Sequence, residues 1–280
     1  MPKVLSPEQV EQYERDGLFF PIPVLSRDEV ARFRAAFEEL EACLRDKPKA
    51  ARLSQTHLYF RWAYDLVTHP KVLDAVEDVL GPDILIWTTS IFPKHPHDPA
   101  YISWHQDGTY WGLDSTQVTT AWIALSDSTV ENGCMRVVAG SHKQDYLPHL
   151  DTYAQYNLLS RGQDIQVEVK EEDATDVVLK AGEMSLHHVR IIHGSNPNRS
   201  NIKRVGFAVR FITPQVKQVG VGERPVAVLA RGRDDFHHFD LLKEPPNYRL
   251  DEGIAAQAEE AHRLLEALRK TKGAYMAMEE

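Results

Sequence analysis

The chain changes its hydrophobic rhythm near residue 83. Upstream, Val30, Phe33, Phe37, Leu40 and Leu44 recur every three to four positions, the spacing that lines one face of a helix with apolar side chains. Ser26-Arg27-Asp28-Glu29 precedes that stripe as a capping box. Ser6-Pro7-Glu8-Gln9 is a second, with proline at the first helical position. Gly17 closes the helix that Ser6 opens, and Leu18-Phe19-Phe20 follows as a short strand. A third helix is predicted from Pro70 to Leu80, stopped by Gly81-Pro82.

Beyond residue 83 the apolar runs shorten and become β-branched and aromatic, beginning with Ile84-Leu85-Ile86-Trp87-Thr88-Thr89. Further strands are predicted at 101–105, 118–125, 134–139, 165–169, 183–188, 190–193 and 204–213, separated by turn signals such as Glu131-Asn132-Gly133 and Ser195-Asn196-Pro197-Asn198. About eight short strands at this spacing predict a sandwich or barrel, and a jelly roll has that number. Residues 143–162 are less regular and read as an active-site lid or a surface excursion. Residues 250–270 return to helical spacing, with Ile254, Ala258, Ala261, Leu264, Leu265 and Leu268 on one face. No repeat, low-complexity tract or linker interrupts the chain. One domain is expected over 1–280, with a helical part at about 5–82, a β core at about 83–215 and an extension at about 216–280.

Charge and cysteine content narrow the class. Against 41 Asp and Glu stand 32 Lys and Arg, a net charge of −9, which repels a phosphate backbone; no nucleic-acid partner is expected. Cys43 and Cys134 lack the spacing of a disulfide framework or a thiolate zinc site. The start has no apolar targeting core, and no uncharged run is long enough to cross a bilayer. A cytoplasmic chain without membrane or obligate protein partner is the expectation.

Candidate chemistry begins with His-x-Asp. In a strand, residues i and i+2 share a face, so the triplet presents two ligands side by side, as in iron sites built from two histidines and one carboxylate. Three triplets occur: His105-Gln106-Asp107, His149-Leu150-Asp151 and His238-Phe239-Asp240. Only the first ends a predicted strand; His149 and His238 read as loop or surface histidines. His193 closes the strand 190–193 before a turn, and Arg204 opens the returning strand eleven residues later. A hairpin would bring that planar guanidinium beside His193, where it suits a carboxylate. Arg199 is a rival, but it lies in the turn.

These stretches resemble the phytanoyl-CoA dioxygenase family of 2-oxoglutarate oxygenases: Trp-His-Gln-Asp at 104–107, Thr-Ala-Trp-Ile-Ala-Leu at 120–125, Glu-Asn-Gly-Cys-Met-Arg-Val-Val-Ala-Gly-Ser-His at 131–142 and His-Gly-Ser-Asn-Pro-Asn-Arg-Ser at 193–200. The resemblance runs from about residue 5 to about 215. It implies a mainly β fold, with a double-stranded β-helix (jelly-roll, cupin-like) core flanked by N-terminal and C-terminal α-helices. It also implies that His105, Asp107 and His193 bind Fe(II), with 2-oxoglutarate and O2 as co-substrates. Arg204 would pair with the distal carboxylate of 2-oxoglutarate, Ser195 would bond the same end, and Gln106 and Trp122 would line the co-substrate.

The activity so implied is hydroxylation of a C–H bond, with release of succinate and CO2. Halogenating relatives replace the iron-binding aspartate with a small residue, whereas Asp107 is present here. Desaturation, epoxidation and ring formation stay open. Outside this class stand a non-catalytic jelly-roll binding protein, and a zinc hydrolase, which Arg204 argues against. The expected substrate is a small molecule, such as an amino-acid derivative or a natural-product intermediate, since no basic cluster meets the phosphates of an acyl-CoA. His187 and His188 are expected to pack or hydrogen-bond, and His95-Pro96-His97 to form an exposed loop. Trp104, Tyr110 and Trp111 belong either to the pocket or to the core. Arg61 and Arg210 are candidates for meeting an acidic substrate, although nothing in the sequence places them in a pocket.

Overall fold

A computed structural model describes residues 3–44, 53–219 and 224–259. Four α-helices are delimited in the first part: α1 (Pro7–Asp16), α2 (Arg27–Leu44), α3 (Arg61–Val67) and α4 (Pro70–Leu80). Both capping boxes form. Gln9 N–H donates to Ser6 Oγ while the Gln9 side chain accepts from Ser6 N–H at 2.8 Å, and Glu29 and Ser26 exchange the same pair of bonds. Gly17 ends α1 at a φ of 71°, the left-handed conformation that glycine adopts without strain. The seven-residue α3 escapes the periodicity reading because it is too short to repeat and has no side-chain cap.

The strands are β1 (Leu18–Pro23), β2 (Ile84–Lys94), β3 (Ile102–His105), β4 (Val118–Ala124), β5 (Met135–Val138), β6 (His149–Asp151), β7 (Gln163–Ile165), β8 (Ala174–Val177), β9 (Glu183–His188), β10 (Ile192–Ser195), β11 (Arg204–Ile212), β12 (Val226–Arg231) and β13 (Asp240–Leu242). Seven form a large sheet in the order β1-β9-β4-β11-β2-β12-β13. Four form a small sheet in the order β3-β10-β5-β8, and β6 pairs with β7. This is the expected mainly β, jelly-roll architecture.

Alternation along the strands separates two cores. Val205, Phe207, Val209 and Phe211 of β11 face outward, with Ala121 and Ile123 of β4, into one cluster with Phe33, Phe37 and Leu40 of α2 and Val72 and Val76 of α4. Trp122, Ala124 and Ala208 face inward, against Met135 and Val137 of the small sheet. The helices thus cover one face of the large sheet, and the other face closes on the small sheet. Strands buried on both faces read as continuous apolar runs, as β4 and β11 do.

Two predicted strands move. The strand expected at 165–169 ends at Ile165: Gln166 N–H bonds back to Pro148 O, and Val167 is 43% exposed, so its apolar alternation buries nothing. The edge of the small sheet is instead β8, Ala-Thr-Asp-Val, whose only buried residue is Val177. The strand expected at 190–193 starts later, because Ile191 N–H closes a turn onto His188 O. The helix expected at 250–270 is helical from 250 to 259 and otherwise lies outside the described residues. No helix among the described residues is long and apolar enough to cross a membrane.

Candidate metal centre

Antiparallel pairing of β3 with β10 sets His105 opposite His193, and their ring centroids are 4.1 Å apart. Asp107, two residues past His105, brings Oδ1 to 3.4 Å from His105 Nε2. One ligand atom from each of the three residues falls within 4.8 Å of the others. All three side chains are buried.

The histidine protons are fixed by the backbone. His105 Nδ1 lies 2.9 Å from Ser103 O, and His193 Nδ1 lies 3.0 Å from Ile191 O. A carbonyl only accepts, so each Nδ1 carries the proton and each Nε2 keeps its lone pair for a metal. Burial, with His105 beside it, pushes His193 well below its ordinary pKa and keeps it neutral. Burial alone would raise the Asp107 pKa. Polar contact with His105, with His193 and the Arg210 charge nearby, outweighs it, and the net shift is downward, so the carboxylate is ionised. Two imidazole nitrogens and one carboxylate oxygen on one side of a cavity suit Fe(II) with open positions.

That cavity opens between the two sheets. His105, Asp107, Ile102, Met135, His193, Gly194 and Ser195 approach from one side; Phe92, Thr120, Trp122, His187, Arg204, Ala208 and Arg210 approach from the large sheet, and Leu159 comes from the irregular segment 143–162. Asp107 is the one acid among these lining residues.

Arg204 is 1% exposed, and its Nε and Nη2 have no hydrogen-bond partner among the described residues. Its guanidinium lies 5.3 Å over the Trp122 ring. Burial pushes its pKa down to about 10, which still leaves it cationic at neutral pH. A buried, unpaired guanidinium is costly unless a ligand carboxylate meets it, so the cavity fits an acidic co-substrate as well as a metal. Ser195 Oγ accepts from Lys94 Nζ at 2.7 Å, which leaves the serine's own hydrogen free to be donated.

Lys94 was not singled out in the sequence. It is 0% exposed, pairs with Arg204 across β2 and β11, and also donates to Asn196 O. Burial, with Arg204 alongside, pushes its ammonium down to about 6. A lone lysine closing an otherwise uncharged strand was the available signal. Gly206 is a second omission: a Cβ there would lie 1.8 Å from Trp122 Cζ2, so only glycine lets the indole lie against β11.

The other expected site residues divide. Trp122, Ser195 and Arg204 line the cavity, whereas Gln106 does not. Strand alternation that turns His105 and Asp107 inward turns Gln106 away. Its side chain donates to Arg190 O at 2.8 Å and accepts from Leu147 N–H at 2.8 Å, fastening residues 145–147 to the metal motif. His149 is likewise no surface histidine: its Nε2 accepts from Gln106 N–H at 3.0 Å and its Nδ1 donates to Leu147 O. His187 lines the cavity, and His188 packs on His142 with ring centroids 5.1 Å apart. Trp104 lies under Arg136, and Trp111 packs on Trp87 and Arg210. The Tyr110 side chain lies outside the described set. Arg199 is exposed, and Arg61 is paired with Asp65 and Glu244 at the surface. Arg210, which nothing in the sequence placed, lines the cavity.

Comparison with known proteins gives the same class. A family model described as phytanoyl-CoA dioxygenase (PhyH) matches residues 13–206. A probable alpha-ketoglutarate-dependent hypophosphite dioxygenase of Stutzerimonas stutzeri is 31% identical over 214 residues, covering 74% of this chain and 70% of the relative. Peroxisomal phytanoyl-CoA dioxygenase of Bos taurus is 28% identical over 241 residues, covering 74% of this chain and 68% of the relative. Among solved structures, the apo form of the non-haem monooxygenase ThoJ superposes with a TM-score of 0.81 at 32% identity, covering 95% of this chain and 99% of that one.

Proposed function

The chain belongs to the phytanoyl-CoA dioxygenase family of Fe(II)- and 2-oxoglutarate-dependent oxygenases, and on that premise we propose that it hydroxylates a C–H bond of a small molecule, as one oxygenase domain. The observation that carries this reading is the coincidence in one buried cavity of two lone-pair-bearing Nε2 atoms, the Asp107 carboxylate and the unpartnered Arg204 guanidinium.

His105, Asp107 and His193 hold the iron, and Arg204 with Ser195 takes the distal carboxylate of 2-oxoglutarate. When bound, the iron with its co-substrates supplies the oxidising chemistry, with succinate and CO2 as by-products. The protein supplies orientation and exclusion of water. Trp122 walls the co-substrate end and holds its ring under the Arg204 charge. Gln106 and His149 clamp the 145–149 segment over the metal motif, which holds Asp107 in place. With Asp107 present, its carboxylate fills the ligand position that a halide would need, and this favours hydroxylation.

Anaerobic titration of the apo-protein with Fe(II) and then 2-oxoglutarate tests the assignment. A visible charge-transfer band that needs both additions is expected, lost in Asp107→Ala and weakened in Arg204→Ala. Turnover should release succinate and add one oxygen to the product mass. Folded protein with no band and no bound iron would overturn the reading in favour of a non-catalytic binding protein. A product that lost two hydrogens, or gained a halogen, would leave the class intact and replace hydroxylation.

A further inference from the structure

Arg210, Thr120 and His187 stand side by side on three neighbouring strands. Arg210 is paired with Thr120 across β11 and β4, and Thr120 with His187 across β4 and β9. All three are buried and line the cavity. Each has a polar atom without a partner among the described residues: Arg210 Nε, Thr120 Oγ1 and His187 Nδ1. Arg210 is held by one hydrogen bond, from Nη1 to Ser90 Oγ at 2.8 Å, and lies over the Phe92 and Trp111 rings at 6.0 and 5.5 Å. Buried polar groups are almost always partnered. Three orphans in one row, on residues that line one cavity, mark a place where a ligand completes the bonds.

Charge identifies the ligand's chemistry, given the proposed function on which this step rests. The charges of the metal and of Arg204 are met by Asp107 and by the doubly negative co-substrate. The Arg210 charge then has no counterpart, since Asp107 is the one acid among the lining residues and is committed to the metal. Arg204 and Arg210 are six positions apart on one strand, about 20 Å between their backbones, so they enter the cavity from opposite ends. Arg204 with Ser195 meets the co-substrate at its end; Arg210 is left for a second molecule.

We propose that the Arg210–Thr120–His187 row binds a singly charged oxyanion group on the substrate that is oxidised. The guanidinium supplies charge and an N–H, Thr120 supplies a hydroxyl donor, and His187 supplies a third N–H in the tautomer protonated at Nδ1. Anchoring the anion there would hold the rest of a small substrate beside the metal.

The test uses Ni(II)-loaded protein, which does not turn over, saturated with 2-oxoglutarate and titrated calorimetrically with acetate, methylphosphonate and the neutral acetamide. One anion or both should bind saturably at one site, and acetamide should not. Anion affinity should fall at least tenfold in Arg210→Met, recover in part in Arg210→Lys, and fall at least threefold in the isosteric Thr120→Val. Affinity for 2-oxoglutarate should stay within about threefold of wild type in Arg210→Met while falling at least tenfold in Arg204→Met. The proposal is overturned if neither anion binds, if Arg210→Met binds them unchanged, or if Arg210→Met loses 2-oxoglutarate as Arg204→Met does, which would assign Arg210 to the co-substrate. Failure of wild type to bind Ni(II) and 2-oxoglutarate in the first titration would instead count against the proposed function.

Discussion

In Arg204→Met a buried guanidinium gives way to an uncharged side chain of comparable reach. The structure predicts opposite effects on stability and on ligand response. Burial lowers the Arg204 pKa from its ordinary value to about 10, and at about 1.4 kcal/mol per unit this corresponds to roughly 3 kcal/mol spent on keeping the cation inside the ligand-free fold. The cation–π contact with Trp122, worth up to about 2 kcal/mol when desolvated, is lost and offsets part of the gain. The variant should therefore be more stable than wild type by about 1–3 kcal/mol without ligand, at about 2–4 °C in Tm per kcal/mol. The sign follows from linkage: the folded pKa is depressed, so the protonated form is penalised in the fold throughout the range below about 10. The gain should accordingly be constant from pH 6 to 9. Adding Ni(II) and 2-oxoglutarate at a hundred times its Kd should stabilise wild type by about 2.7 kcal/mol and the variant far less. Urea unfolding of both proteins, with and without co-substrate, reads all four states. A ligand-free variant less stable than wild type, or a variant stabilised equally by 2-oxoglutarate, would refute the view that Arg204 is an unpaired cation awaiting a carboxylate.

Lys94→Met should flatten a pH dependence. The folded lysine loses its proton near pH 6 and the unfolded one near 10.4, so wild type should gain up to about 1.4 kcal/mol per unit between them relative to the variant; urea midpoints at pH 6, 7.5 and 9 measure this. Gly206→Ala places a methyl group inside the Trp122 ring and should destabilise the fold by about 1–3 kcal/mol, shift tryptophan fluorescence and weaken 2-oxoglutarate binding while leaving metal binding intact. Gln106→Leu should cost about 1–3 kcal/mol by stranding Leu147 N–H and Arg190 O. It should expose residues 145–150 to limited proteolysis with the 2-oxoglutarate Kd unchanged; a large rise in that Kd would return Gln106 to the cavity.

Legibility followed the range of the interaction. Caps, the helical stripe of α2 and the His105–Asp107 spacing are local, and each was readable because one turn or one strand encodes it. The juxtaposition of His193 with His105 is not local, and the motif resemblance carried it. The hairpin expected between 193 and 204 does not form, since β10 and β11 lie in different sheets and Arg204 meets the cavity from the opposite side. Gln106 misled because its neighbours in sequence face the metal, whereas its own partners, Leu147 and Arg190, lie 41 and 84 residues away. His149 misled for the same reason: an irregular segment suggested solvent, and its stabilising contact is with the backbone of the metal motif. Lys94 was silent because a buried lysine is defined by what surrounds it, here Ser195 and Asn196 from another strand and its turn. The strand 165–169 failed because alternation records the potential to bury a face and not the presence of a sheet to bury it against.

Arg210 shows how far the inward face of one strand determines a site. Taken alternately, β11 reads Val-Phe-Val outward at 205, 207 and 209, and Arg-Gly-Ala-Arg inward at 204, 206, 208 and 210. The outward half holds the helices. In the inward half, Gly206 and Ala208 remove bulk in mid-strand, so that Trp122 and the ligands have room, while the arginines bring charge to both ends. A strand whose hidden face carries two cations around two small residues is poorly suited to being a core strand, because no acidic side chain among the described residues hydrogen-bonds to either arginine. The same face is well suited to holding two anions in a line past a metal. The strand's cost to stability and its usefulness as a site therefore have one origin, and the excess stability expected of Arg204→Met should recur, in smaller measure, in Arg210→Met, whose guanidinium keeps a bond to Ser90 and the attraction of Asp107. Equal destabilisation by both substitutions would mean that the fold itself uses these charges, and would remove the physical ground for assigning either to a ligand.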